Sequence, residues 1–315
     1  MKILITGIAG FIGSNLAERL LFENRILKTK AKIIGIDNLS YGIKEQIPKG
    51  VVFYKLDIRS KQIYPLFRGI DYVFHLAAKN CISDCQKDPL ETVDINVAGT
   101  VNVFEAAKRA KVKKVIYAES SAIYEDSNKF PTPESETRPQ SFYAASKAAT
   151  MYFAEAYQRF SPLKFTALRY FNVYGPRQDY RRTIPPVMSA FIIKLLKEQR
   201  PIIYGTGKKK RDFIYVDDVN DFHLLCMRDK RTDNKVFNLG SGKNYSVSEI
   251  YKIISEILYT KSKPVYKPDL SGEAFVTLAD ITEAKKLGWS PKVDIANGIE
   301  EMIKYIKEEI KKGNI

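Results

Sequence analysis

Residues 2–13 read KILITGIAGFIG. Lys2-Ile3-Leu4-Ile5-Thr6 is the short apolar run of a buried strand, and Gly7, Gly10 and Gly13 follow at once, before Leu16, Leu20 and Leu21 repeat with helical period. A strand, a glycine turn and a helix in that order make a phosphate cradle. The glycines permit the tight turn, let backbone approach a pyrophosphate and pack helix on strand, so that the free N–H groups of the helix end face the phosphates. A bare glycine triplet is a weak signal, and Gly-x-x-Gly-x-x-Gly is not the commonest dinucleotide spacing. Its place at the first strand–helix junction gives it weight.

Outward from this turn the pattern continues. A second strand at 31–36 ends in Asp37, 24 residues beyond Gly13. A carboxylate there accepts hydrogen bonds from ribose hydroxyls and repels a 2′-phosphate, and no Arg stands at Asn38, Leu39 or Ser40, so NAD is expected rather than NADP. Asp57, after Val51-Val52-Phe53-Tyr54, is either at the adenine edge or a strand-end cap. Strands at 71–76 and 114–118 alternate with helices at 90–109 and 142–160. Such alternation means a parallel sheet with right-handed crossovers, whose ligands bind beyond the strands' carboxyl ends. Residues 7–13, Asp37, His75-Leu76-Ala77-Ala78 and Ser120-Ser121 then share one rim, and the stretch 125–140, rich in Pro, Glu, Ser and Thr, is a loop over it. The expected fold is α/β, a Rossmann-type doubly wound parallel sheet with a smaller C-terminal α/β lobe. Residues 1–175, with about 211–240, form the dinucleotide domain; 176–210 and 241–315 form the lobe, where Ser246-x-x-Glu249 reads as a capping box and Asp280-x-x-Glu283 as another helix start.

The 315 residues, 45% of them hydrophobic, can bury a large core. No segment reaches the roughly 18 unbroken apolar residues of a membrane span, and the glycine turn arrives too early for a signal peptide, so a cytoplasmic location is expected. Cys81, Cys85 and Cys226 form no C-x-x-C and have only His75 and His223 as possible nitrogen co-ligands; neither a disulfide framework nor a metal site is expected. Lys and Arg number 51 against 36 Asp and Glu, a net +15 that suits a polyanionic small ligand, a nucleic acid or simply a lysine-rich proteome. The compact run Lys208-Lys209-Lys210-Arg211 is ordinarily a solvated loop, although an Arg before the apolar 212–216 can clamp a diphosphate bidentately.

Tyr143-Ala144-Ala145-Ser146-Lys147 opens the helix at 142–160. Tyr143 and Lys147 stand four apart and project from one face. The ammonium favours the phenolate and pulls a tyrosine pKa down from about 10. Alone, such a pair is most often a packed Tyr beside a solvated Lys. Beside a dinucleotide cradle it reads as a base and the cation that tunes it.

TGIAGFIG at 6–13, Asp37, FHLAA at 74–78, INVAGT at 95–100, SSAIY at 120–124, YAASK at 143–147, RYFNVYGPRQ at 169–178 and RDFIYVDDV at 211–219 together resemble, over essentially the whole chain, the extended short-chain dehydrogenase/reductase family. Within it the chain is most similar to nucleotide-sugar epimerases, UDP-glucose and UDP-N-acetylglucosamine 4-epimerases above all. The resemblance implies roles residue by residue. Tyr143 would be the catalytic base, Lys147 would hold the nicotinamide ribose, and Ser120, with Ser121 beside it, would hydrogen-bond the reacting sugar. Gly7, Gly10, Phe11, Ile12, Gly13, Asp37, Asn38, Asp57, Ile58, Leu76, Ala77, Ala78 and Tyr170 would line NAD. Asn172 and Arg211 would hold the substrate's phosphates. In Leu278-Ala279-Asp280 the residue three before the Asp, Thr277, would line the sugar pocket and admit an acetamido group that a Tyr there would exclude. The implied reaction is 4-epimerisation of a UDP-hexose or UDP-N-acetylhexosamine through a 4-keto sugar. The implied assembly is a homodimer paired through the helices at 90–109 and 142–160.

Several positions depart from the family pattern. Glu119 stands where a small residue is usual, Glu125 where Gly is usual, and both can alter a rim that in the family lies close to cofactor or sugar. Leu270 replaces a common second phosphate-binding Arg. Cys81 and Cys85 read as buried small apolar residues. A nucleotide-sugar 4,6-dehydratase begins with the same C4 oxidation but needs an acid and a base directly after the catalytic hydroxyl, where Ser121 and Ala122 stand. A reading from another class is a non-catalytic dinucleotide sensor or a basic nucleic-acid binder. Sensors on this scaffold tend to lack the Tyr and Lys, and no aromatic–basic RNA motif or recognition helix stands out, so neither nucleic acid nor membrane is an expected partner.

Overall fold

A computed structural model of the protein describes residues 1–26, 30–182, 185–269 and 274–315. The chain forms two compact units: Met1–Asn128, Glu134–Tyr170 and Asn220–Asn238 make the first, and Lys129–Pro133, Phe171–Val219 and Leu239–Ile315 the second. In chain order the strands are β1 (Lys2–Thr6), β2 (Lys32–Asp37), β3 (Val52–Lys55), β4 (Tyr72–His75), β5 (Lys114–Ser120), β6 (Lys164–Tyr170), β7 (Asn172–Tyr174), β8 (Ile202–Tyr204), β9 (Lys210–Tyr215), β10 (Lys235–Leu239), β11 (Asn244–Ser246) and β12 (Val265–Lys267).

The first unit is built on a seven-stranded sheet in the order β10-β6-β5-β4-β1-β2-β3, and every pairing from β3 through to β6 is parallel. From β1 the chain goes to β2 on one side and later to β4 on the other. That reversal is the switch point at which a doubly wound sheet opens a crevice beyond its carboxyl ends. Burial of β1 on both faces explains its unbroken Ile3-Leu4-Ile5 run. Helix α1 (Phe11–Ile26) leaves the glycine turn.

The expected helix at 90–109 is not one regular helix. After α2 (Ile82–Lys87), Asp88 caps α3 (Pro89–Val93) by accepting from the Glu91 N–H (2.9 Å), the chain widens into a π-turn over Asp94–Gly99, and α4 (Thr100–Arg109) follows. The side chain of Asn96 accounts for this insertion, as described below. Helix α5 (Phe142–Phe160) has the bounds read from the sequence.

The second unit holds the three-stranded sheet β11-β9-β7 and the pair β12-β8. It contains α6 (Val187–Leu196) and the start of α7 (Val216–Arg228), then α8 (Val247–Ile257), α9 (Thr282–Lys285) and α10 (Ile295–Lys311). The expected boundary at about 211 moves to Val219/Asn220, because β9 pairs with β7 and β11 instead of joining the large sheet. The buried Asp212 carboxylate fixes that choice: it accepts from the N–H groups of Ser241 (2.7 Å), Gly242 (3.1 Å) and Ala279 (3.0 Å), all in the second unit. The Ser246–Glu249 capping box forms with both of its bonds, whereas α9 starts two residues after Asp280, whose carboxylate accepts from the Thr282 N–H (2.9 Å). Among the described residues no helix is long and apolar enough to cross a membrane, and no group of three or more His, Cys, Asp or Glu could hold a metal ion.

Candidate active site

The glycine turn fits a dinucleotide. Gly7 lies at φ +73°, and a Cβ there would come within 2.8 Å of the Ala77 nitrogen; a Cβ on Gly13 would meet the Gly7 carbonyl oxygen at 2.2 Å. Only glycine lets the loop after β1 sit this close to the loop after β4 and to the start of α1. At the end of β2, Asp37 accepts from the N–H groups of Ala9 (3.0 Å) and Leu39 (2.8 Å), which fixes its carboxylate beside the turn. Burial pushes that carboxyl above its usual range against the pull of these two bonds. The Asp57 carboxylate is ion-paired to Arg59 (2.8 Å) and receives the Asn38 amide (2.8 Å), which together hold it well below the usual carboxylate range. Ile58 is buried against Gly99, and the Tyr170 hydroxyl is bonded to His223 (2.7 Å).

Lys147 comes from the second turn of α5 and is buried, yet its Nζ donates to the Ala118 carbonyl oxygen (2.9 Å), two residues before Ser120 on β5. Burial pushes its ammonium down to about 8, with Glu119 opposing. Tyr143, half-buried, stands one turn earlier on the same face. Ser120 ends β5 and caps a short 3-10 turn over Ser121–Tyr124, its Oγ accepting from the Ala122 N–H (3.1 Å). A hydroxyl that accepts such a bond can still donate its own hydrogen. Turn former and substrate ligand are therefore compatible roles.

Both acidic departures from the family pattern have defined partners. Strand alternation turns Glu119 away from the Ser120 side. Its carboxylate is fully buried, ion-paired to Arg169 (2.9 Å) and bonded by the Tyr117 hydroxyl (3.0 Å). Arg169 continues the network to the Tyr124 hydroxyl (2.7 Å), which donates to Asn238 (2.7 Å). Glu125 binds the residues just before α5: it accepts from the N–H groups of Gln140 (3.0 Å) and Ser141 (2.8 Å) and from the Ser141 hydroxyl (2.8 Å).

Asn96 has no expected role in the sequence, yet it joins three parts of the rim. Its amide donates to Ser146 Oγ (3.0 Å) and to the Lys79 carbonyl (2.9 Å), and its carbonyl accepts from the Lys79 N–H (2.8 Å). The π-turn aims it so. The only sequence signal is its place inside INVAGT, which periodicity alone reads as plain helix. His75, between Thr6 (2.7 Å) and Thr100 (2.9 Å), is pushed down to about 3 by burial and stays neutral as a structural link. Cys85 is buried as expected, but Cys81 is only half-buried.

The second unit brings its three expected substrate residues together. Asn172 on β7 donates to the Asp212 carbonyl (3.1 Å) and to Thr277 Oγ1 (3.4 Å), and Thr277 Oγ1 also accepts from the Asp212 N–H (3.1 Å). Arg211, next to Asp212 on β9, donates to the Lys210 carbonyl (3.0 Å). Leu270 lies outside the described residues.

Comparison with known proteins agrees with this geometry. A putative UDP-glucose 4-epimerase of Methanocaldococcus jannaschii is 35% identical over 309 residues, 97% of this chain and 98% of that one. The crystal structure of a UDP-glucose 4-epimerase from Thermotoga maritima with UDP-glucose superposes with a TM-score of 0.93 at 36% identity, covering 98% of this chain and 100% of that one. A UDP-N-acetylglucosamine 4-epimerase from Methanobrevibacter ruminantium, in complex with UDP-N-acetylmuramic acid, gives 0.92 at 32% identity and 98% of each chain. The model of the NAD dependent epimerase/dehydratase family matches residues 3–240, and with the cradle, the Asp37 carboxylate and the Tyr143–Lys147 pair in place, this chain belongs to that NAD-dependent family.

Proposed function

We propose that the protein is a 4-epimerase of UDP-hexoses and UDP-N-acetylhexosamines. The observation that carries this reading is the anchorage of Lys147 to the Ala118 carbonyl, which puts the helix face bearing Tyr143 and Lys147 on the strand end bearing Ser120. The Tyr143 phenolate takes the proton of the C4 hydroxyl while Ser120 hydrogen-bonds the same oxygen. NAD, when bound, supplies hydride acceptance from C4 and its return. The resulting 4-keto sugar turns over while Asn172 and Arg211 hold its diphosphate, so that hydride would return to the opposite face of C4 while Tyr143 gives the proton back to the C4 oxygen, and net redox change is zero.

A 4,6-dehydratase is less well supported. Elimination across C5 and C6 needs a free acid and base beside the Ser120 turn, and the two nearby carboxylates are engaged: Glu119 by Arg169, Glu125 by the start of α5. Thr277, bonded to Asn172 and small, supports acceptance of an acetamido group at C2. We further propose a homodimer, since Leu90 and Val93 of α3 and Tyr152, Phe153 and Phe160 of α5 expose apolar side chains on helices of the first unit. Light scattering at micromolar concentration checks this, and a monomer mass counts against it.

A panel of UDP-, GDP-, CDP- and dTDP-sugars, read by NMR, tests the reaction. Interconversion of UDP-glucose with UDP-galactose and of the corresponding N-acetylhexosamines is expected, with NAD rather than NADP extracted from the denatured protein. A 4-keto-6-deoxy product overturns the epimerase reading. Turnover of UDP-glucose alone overturns the acetamido reading.

A further inference from the structure

We propose that Glu125 is a positioning residue for Tyr143, tying the first turn of α5 to the turn that carries Ser120. Its catalytic consequence rests on the epimerase reading above. With Ser141 as the N-cap of α5, Phe142 and Tyr143 are the first two residues of the helix. Helix ends fray, and the residues of a first turn have no intrahelical partner for their N–H groups. A base in that turn is badly placed unless something outside the helix holds it. The preceding side chain gives little help, because Phe142 is 54% exposed.

Glu125 supplies the hold. It is the first residue after the 3-10 turn over Ser121–Tyr124, and its own N–H bonds back to the Ala122 carbonyl (3.1 Å), so its backbone moves with the Ser120 turn. Its Oε1 accepts from the Ser141 hydroxyl (2.8 Å) while Ser141 Oγ accepts from the Ala144 N–H (3.1 Å). One hydrogen thereby fixes the rotamer of the N-cap. Oε2 accepts from two successive N–H groups, of Gln140 and Ser141, the last two before the helix. A carboxylate at a helix N-terminus is also favoured by the helix dipole.

This is more than general bracing of the loop between the two segments. The loop's flanks already pair through backbone, Arg138 N–H to the Ile123 carbonyl (2.6 Å) and Asp126 N–H to the Arg138 carbonyl (3.4 Å). All three bonds of the Glu125 carboxylate go to the two residues that set the direction of the helix start.

The test compares wild-type holoenzyme with Glu125→Ala, Glu125→Gln and, as a matched control, Glu249→Ala, which breaks the capping box of α8. In Glu125→Ala, kcat for sugar interconversion is expected to fall at least about tenfold, the scale set by a sub-ångström misplacement of a reacting group, with KM within about twofold. Glu125→Gln, which keeps an acceptor for Ser141, recovers most of that loss, and Glu249→Ala lowers thermal stability while leaving kcat unchanged. Amide exchange in 141–145 rises in Glu125→Ala and not in Glu249→Ala. Unchanged kcat or unchanged exchange in Glu125→Ala overturns the inference, as does equal loss in the Ala and Gln variants. Wild-type protein that turns over no sugar defeats the epimerase reading instead, and the exchange measurement still decides whether Glu125 holds the helix start.

Discussion

Two buried carboxylates, Glu119 of the first unit and Asp212 of the second, are held by opposite means. In the first, side chain meets side chain: Glu119 with Arg169, and Lys114 with Asp233 (2.8 Å) and the Thr232 hydroxyl. In the second, Asp212 is met by backbone, three N–H groups, and by the single hydroxyl of Ser241 (2.8 Å). A side-chain pair depends on both partners, so losing one strands the other without solvent. A carboxylate held by backbone has partners that no substitution other than proline removes. Glu119 is therefore the more brittle of the two anchorages, and the surroundings of Asp212 can change side chains at lower cost.

The sharpest way to break this comparison is Glu119→Gln. Arg169 then stays buried without its counter-ion, and a loss of about 3–5 kcal/mol in unfolding free energy is expected, read by urea denaturation. Asp212→Asn should cost less, about 1.5–3 kcal/mol, because an amide oxygen in the place of Oδ2 still accepts from the Gly242 and Ala279 N–H groups and only the bonds from Ser241 are lost; a larger loss than in Glu119→Gln reverses the argument. Thr277→Tyr sharpens it on the side of function. Stability should hold while kcat/KM for UDP-N-acetylglucosamine relative to UDP-glucose drops by about 1–3 kcal/mol of discrimination, measured by competition assays.

The smallest expected effect is a slope in pH. The Lys147 ammonium, pushed down to about 8 by burial against an ordinary value of 10.5, costs stability in full below pH 8. Between pH 8 and 10.5 the unfolded chain keeps the proton that the folded one releases, so this group adds stability as pH rises. Urea titrations of cofactor-free protein across that window should show the rise, and Lys147→Met should flatten it.

What the sequence made legible was local. The glycine turn and Tyr143–Lys147 are fixed spacings within one turn or one helix face, Asp37 ends the next apolar strand, and a buried strand such as β1 announces itself by its apolar run. The roles of Glu119 and Glu125 were hidden because Arg169 lies 50 residues away and Ser141 lies 16 away. The second unit was harder for a different reason. Strands β7, β8, β11 and β12 are three residues each, too short for any alternation to show, and Asp212 finds its partners near 241 and 279. Asn172, Arg211 and Thr277 could be named only by resemblance, although the structure does gather them.

The π-turn at Asp94–Gly99 sets a limit on how this chain can diverge. Deleting one residue from it would restore ordinary α-helical spacing and turn everything after it by about 100° about the helix axis. Thr100 would swing away from His75, and Asn96 would lose either Ser146 or Lys79. Individual letters of this stretch can drift over evolutionary time, whereas their number is held constant by contacts on both sides of it. Among homologues, alignments should therefore show substitutions here and no gaps.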